Sequence, residues 1–316
     1  MNTSNTFRAS KLIFQSCSAL GCKNPEIPLT ATNILLAHEF NANQSILSPE
    51  TLWSVAMACV LLSSKSHEWF EIPAPMEQHV DDEFLDDPPM RVFQAIILTF
   101  ERLYWRHQQK QKQKQKQSQL VSEQPKKSRW DSSSSVTLVP PLLSPPPPSF
   151  AYSERYQKWK RVLLETESVV LSSIGFTTYP LHKTPHALLF YYLQALLEEG
   201  ELRKQVAEKA WKYCDCATRG GSVVRQFRLE VVATAAIHLA LEDLGLAFQR
   251  KEWWRLFLQT NESLSTIQNA MNEIIATKSQ IDLIDNGDVD VDVAEGEGHE
   301  GDNPFVSINS SSWLNT

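Results

Sequence analysis

Ser48–Glu68 reads SPETLWSVAMACVLLSSKSHE, and its pattern decides the fold. Ser48 suits an N-cap, Pro49 suits the first helical position, and Glu50 favours the positive helix start. Leu52, Val55, Ala56, Cys59, Leu62 and Ser63 then share one face at 3.6-residue spacing. Trp53, Met57, Val60 and Leu61 make the remaining faces apolar as well. A helix apolar on every side is buried in a protein core or crosses a membrane, and this run is too short to cross one. Ala56 and Ala58 are small enough for neighbouring helices to approach closely. The last turn is polar, and Lys65 stands near the negative helix end, where a cation is favoured. The stretch therefore reads as a buried central helix with one charged end at the surface.

Working outward, an all-α chain emerges. Residues 6–21 read as a helix ended by Gly21, and Asn24–Leu29 as a connection. A second helix runs from Thr30 to about Phe40. Beyond the central helix, residues 70–87 read as an acidic loop, and Asp87-Pro88 opens a helix carrying Val92, Phe93, Ile96, Ile97, Phe100 and Leu103. Residues 108–149 pass from KQKQKQ through SSSS to PPPP. Such a composition buries too little apolar surface to offset chain entropy, so it reads as a disordered insertion. Its cluster Lys126-Lys127-Ser128-Arg129 fits either a nuclear-import signal or a merely solvated linker.

From Ser153, the residues Tyr156, Trp159, Leu163, Thr166, Val170 and Ile174 form one stripe that stops at Gly175. Further helices are expected from Thr184-Pro185, over 201–218, over 224–243 and over 262–277, with a short aromatic segment at Trp253–Leu258. Past Lys278 the chain has nine acidic residues and no Lys or Arg, and this tail reads as disordered.

The pattern repeats. VAMACVLL at Val55–Leu62 matches VATAAIHL at Val232–Leu239 in its placement of small and apolar residues, 177 positions later. Each copy lies third in a run of about five helices. The expected architecture is two tandem five-helix units, at 6–176 (with the insertion 108–149) and 177–277, followed by the tail 278–316.

The totals narrow the function. With 316 residues and a net charge of −7, there is no general attraction to nucleic acid or to an anionic membrane, and neither is expected as a partner. Five cysteines, an odd number, suggest reduced thiols rather than a disulfide framework. The start MNTSNTFRAS lacks the pattern of a signal peptide. His182 and His186 stand four apart, but Thr184-Pro185 starts a helix between them and no third ligand is near, so no metal site is read there. Cys214-Asp215-Cys216 points its thiols to different helix faces and reads as core. No Walker loop, dinucleotide turn or GxSxG occurs. An enzyme and a cofactor are therefore not expected.

Several segments in order resemble one family. WSVAMACVLLSSKSHE resembles the small-residue helix of a first cyclin box, with its Ser-Lys ending. ETESVVLSSIGF at Glu165–Phe176 resembles the later helix of that box. PHALLFYYLQAL, KAWKYCDCA and RLEVVATAAIHLA resemble the second box. The chain is thus similar over about residues 7–277 to cyclins of the transcription and splicing branch, the cyclin L group most of all. The resemblance implies a non-enzymatic nuclear subunit that binds and activates a cyclin-dependent kinase, whose substrates would be the RNA polymerase II tail or splicing factors. It also implies a kinase-binding site at Lys65, Glu167, Leu171 and Phe176, where the Lys and Glu lie together. Leu164, Glu167 and Leu171 do form a second stripe beside the core stripe, as a helix facing both a core and a partner would.

Three departures qualify the likeness. The tail is acidic where cyclin L proteins carry arginine-serine repeats. FRASKLIF lacks the Met-Arg-x-x-Leu patch of cell-cycle cyclins. His67 replaces the acidic residue after Ser-Lys. Two alternatives remain at this stage. One is a cyclin-fold general transcription factor of the transcription factor IIB type, which would need a basic face for DNA. The other is a scaffold that activates nothing.

Overall fold

The computed structural model describes residues 3–41, 51–68, 88–122, 153–178, 181, 183–246, 252–258 and 263–285. Among these residues every regular element is helical. The first unit holds α1 (Thr3–Ala19), α2 (Glu26–Asn41), α3 (Leu52–Ser66), α4 (Pro88–Ser122) and α5 (Glu154–Ser173). The second holds α6 (Pro185–Leu196), α7 (Glu201–Gly220), α8 (Ser222–Gln226), α9 (Leu229–Asp243) and α10 (Leu264–Asp285), with a 3₁₀ turn at Trp253–Leu256. This is the expected pair of helical units, consistent with tandem cyclin boxes.

In each unit the small-residue helix lies at the centre. Helix α3 is buried from Leu52 to Ser64 apart from Trp53, and it packs on α1, α2, α4 and α5. Helix α9 buries Val231–Ile237 and Leu239–Leu241 and packs on α6, α7 and α10. Ala56, Ala58, Ala235 and Ala236 are all fully buried. Where side chains are this small, several neighbours can close on one helix without leaving voids. Aromatic contacts then lock the outer helices. Tyr104 of α4 meets Trp53 of α3 and Trp159 of α5 edge-on, with ring centroids 5.3 and 5.6 Å apart. In the second unit Tyr192 stacks on Phe257 at 4.1 Å.

Several expected boundaries move. Helix α2 starts at Glu26 rather than Thr30: Glu26 N–H donates to the Asn24 side chain, and Pro28 falls in the first turn, where no backbone donor is needed. Thr51 holds the N-cap position of α3 with no side-chain cap bond, and the expected cap Ser48-Pro49-Glu50 lies outside the described residues. Helix α4 continues through the KQKQKQ stretch to Ser122, so residues 108–122 are not the disordered start of the insertion. Lys and Gln are good helix formers, and a helix already nucleated on the core propagates cheaply. Residues 123–149, with Lys126–Arg129, lie outside the described residues. Helix α10 likewise runs past 277 to Asp285, because Ile281 is still buried; 286–316 lie outside. The expected helix 224–243 is two, α8 and α9, broken at the extended residues Phe227 and Arg228.

The units are joined through α1 and α2. Thr6 Oγ1 donates to Glu39 at 2.8 Å, and Arg225 of α8 reaches the same carboxylate at 3.6 Å. Arg219 lies over the Phe14 ring. A Cβ on Gly220 would meet Thr277 at 2.3 Å and Phe7 at 3.3 Å, so only glycine lets α1, α7 and α10 close at that point. Between α1, α2 and α7 a cleft of about 260 Å³ is lined by Cys17, Cys22, Pro28, Trp211 and Asp215.

One core histidine ties α2 to the end of α5. His38 is buried, with Nδ1 2.6 Å from Ser173 Oγ. Because Ser173 donates onward to the Val170 carbonyl, it accepts from His38 Nδ1–H. Nε2 is left buried with no partner among the described residues. Burial holds this imidazole below its usual range. The unfolded chain therefore binds a proton that the folded chain refuses. His38 contributes stability above pH ~6.5 that is lost as pH falls through the window below it, at a slope limited to about 1.4 kcal/mol per pH unit. Glu39 acts in the opposite sense, because burial raises its carboxyl. Urea unfolding at pH 7.5 and 5.5 should show a loss for the natural chain that is smaller in His38→Gln. An equal loss in both would place the titration elsewhere.

Candidate functional site

The charged end of α3 is positioned from below. Ser63 Oγ donates to the Ile27 carbonyl at 2.7 Å, and His67 Nε2 lies 2.8 Å from Thr30 Oγ1, with Nδ1 3.7 Å from Glu26. These contacts fasten the last turn of α3 to the first turns of α2. His67, which departs from the acidic pattern, is thus a clamp between helices. The backbone leaves the helix through Glu68 at φ +49°.

From this fixed turn Lys65 Nζ reaches Glu167 Oε1 of α5 at 2.6 Å. The pair is asymmetric: the Lys65 side chain is 56% exposed and the Glu167 side chain 11%. Glu167 is buried because it borders the core face of α5, beside Thr166 and Val170. A buried carboxylate is costly without a charge-assisted partner, and Lys65 is that partner.

Helix α5 ends in a Schellman turn. Phe176 N–H donates to the Leu171 carbonyl at 2.9 Å and Gly175 N–H to Ser172 at 3.1 Å, with Gly175 at φ +70°. Phe176 follows at φ +58°, a conformation that costs a bulky residue energy, and its side chain is 74% exposed. Among the described residues nothing offsets that cost by burying the ring. Leu171 is half-buried against the first core, and Leu164, one turn before Glu167, is 46% exposed.

The structure therefore joins Lys65 to Glu167 and puts Leu171 further along the same helix, with Phe176 in the turn that ends it. Among the described residues the second unit has no equivalent. Glu242, at the position of Lys65 in the repeat, pairs among the described residues with His238 of its own helix at 3.3 Å.

The other marked residues are structural. His186 is buried, with Nε2 3.0 Å from Asp215 and its ring 4.4 Å from Trp211; His182 lies outside the described residues. Among the described residues no three metal-ligating side chains gather. Cys214 is fully buried and Cys216 half-buried, and burial raises both thiols, that of Cys216 to about 11. At the inter-unit cleft, a hydrogen bond with Cys22 and then burial raise Cys17. Among the described residues no helix is long and apolar enough to cross a membrane.

Sequence reading missed the Glu39–Thr6–Arg225 network and the His67 clamp. Glu39 and Arg225 are too far apart in the chain for any spacing rule to pair them. His67 carried a signal only as a departure from an acidic pattern.

No model of a known family matches the chain. Similarity does extend to curated plant proteins. The chain is 27% identical over 159 residues to Cyclin-T1-4 of Arabidopsis thaliana, which takes in 49% of this chain and 28% of the relative. It is 29% identical over 124 residues to Cyclin-T1-5 of the same plant, taking in 38% of this chain and 20% of the relative. The matched part is thus less than a third of either relative's length. Set beside two helical units built around repeated central helices, this distant and partial similarity supports placing the chain in the cyclin family.

Proposed function

We propose that the protein is a nuclear regulatory subunit that binds a cyclin-dependent serine/threonine kinase and holds it active in transcription. The observation that carries this reading is the Lys65–Glu167 pair beside an exposed Phe176. It combines two oriented charges with the apolar side chains of Phe176 and Leu164, exposed among the described residues, the make-up of a partner surface. The kinase would supply the ATP site and the phosphoryl transfer, and this chain would supply only positioning. The relatives carry T-type names, which favours a transcription role; the motif order alone favours the cyclin L group and splicing.

Reconstitution tests the proposal. The full chain should co-purify with a cyclin-dependent kinase and raise its activity on a peptide from the RNA polymerase II tail. Co-purification without activation would leave a scaffold, and no association with any member of that kinase class would end the kinase reading.

A further inference from the structure

Helix α4 carries a second surface. Arg102, Arg106, Lys110 and Lys114 follow one another at i+4 steps, so they lie along one side of the helix about 6 Å apart. Arg106, Lys110 and Lys114 are exposed, and Arg102 is partly so. Glu101 is the one acidic residue of α4, and it is buried and paired with Arg155. Among the described residues no ion pair engages Arg102, Arg106 or Lys110. The positive charges of Arg8, from α1, and of Lys110 and Lys114 all bear on the His107 ring, so cations of two helices converge there. Like charges at i+4 repel and weaken a helix, and among the described residues no ion pair offsets Arg102, Arg106 or Lys110.

The chemistry of the stripe selects its partner. From Arg106 to Ser118 the sequence is RHQQKQKQKQKQS, without one apolar residue. Protein interfaces need an apolar or aromatic centre and are poor in Lys. Interfaces with nucleic acid are polar and strongly cationic, and amides such as those of the interleaved Gln residues hydrogen-bond phosphate oxygens. The net charge of −7 does not oppose this. Charges more than about 8–10 Å away are screened at physiological salt, so the local field decides. We infer that the Arg102–Lys114 side of α4, with Arg8 beside it, binds the phosphodiester backbone of a nucleic acid without reading its sequence. This reverses the expectation drawn from net charge and does not depend on the kinase reading.

The test is fluorescence anisotropy with the full chain and mixed-sequence 20-mers of single-stranded RNA, single-stranded DNA and duplex DNA. Five engaged cations imply a log–log salt slope of about −4 to −5 on duplex and about −3 to −4 on single strands. The three probes show which nucleic acid is preferred, and binding to any of them with such a slope supports the inference. The triple variant Arg106→Glu, Lys110→Glu, Lys114→Glu should lose at least ~30-fold in affinity and flatten the slope. Its neutral counterpart, with Gln at all three positions, extends the Gln pattern, keeps the helix, and should move in the same direction. The charge-matched control Lys183→Glu, Lys204→Glu, Lys212→Glu should change binding little. Absence of binding at 50 mM salt would overturn the inference, as would equal losses in control and stripe variants. So would a stripe that binds a synthetic peptide of residues 286–316 but no nucleic acid.

Discussion

Glu167→Ala should weaken kinase association by about 2–5 kcal/mol, the usual cost of removing one member of a charge pair that becomes desolvated in an interface. That corresponds to a loss of roughly 30- to several thousand-fold. The fold itself should lose little, because the Lys65 left behind is half-exposed and can turn to water. Lys65→Ala is the asymmetric partner. It should weaken association comparably, but it strands a buried carboxylate, so about 1–3 kcal/mol of the chain's own stability should go as well. Glu242→Ala, whose local pairing with His238 serves no second helix, should alter neither. Calorimetry of the complex, with circular dichroism and urea unfolding of each variant alone, separates the two quantities. If both first-unit variants bind normally while Glu242→Ala does not, the partner sits on the second unit.

The largest effect on stability should come from Phe100→Ala. Phe100 is fully buried in the first core, on a helix that meets α1, α3 and α5. Truncation removes the transfer free energy of the ring and leaves a cavity that close-packed helices fill only partly, a cost of about 3–5 kcal/mol. Against a total of about 5–15 kcal/mol for a protein domain, such a variant is close to unfolding. Tyr191→Ala, 72% exposed on α6, is the matched aromatic truncation and should stay within about 0.5 kcal/mol. Urea midpoints decide: a loss below about 1 kcal/mol for Phe100→Ala would mean that α4 does not close the first core as described.

Much of this was legible before any coordinates. A helix that is apolar on every side has one place to go, so the matching runs at Val55 and Val232 disclosed both central helices and the doubling of the unit. The stripe Leu164–Glu167–Leu171 beside the core stripe also marked an outward face. The sequence could not disclose what depends on tertiary pairing: the approach of Lys65 to Glu167 follows here from packing, and before that only from a family resemblance. Composition misled at Gln108–Ser122. Alternating Lys and Gln looks like low complexity, yet it continues a helix whose first turns are nucleated on the core. Net charge is blind in a related way, since a sum over the chain does not display a local stripe such as the one on α4.

Helix α1 belongs to two walls at once. Its inner face closes the first core through Leu12, Ile13 and Cys17, while Phe7 and Phe14 meet Gly220 and Arg219 of the other half. The halves are therefore not interchangeable cassettes, despite their internal repetition. Lifting out the second half as an isolated module would expose the side of α7 that α1 covers, and trimming α1 would open both halves together. Anyone who divides this protein for expression should carry α1 with either piece.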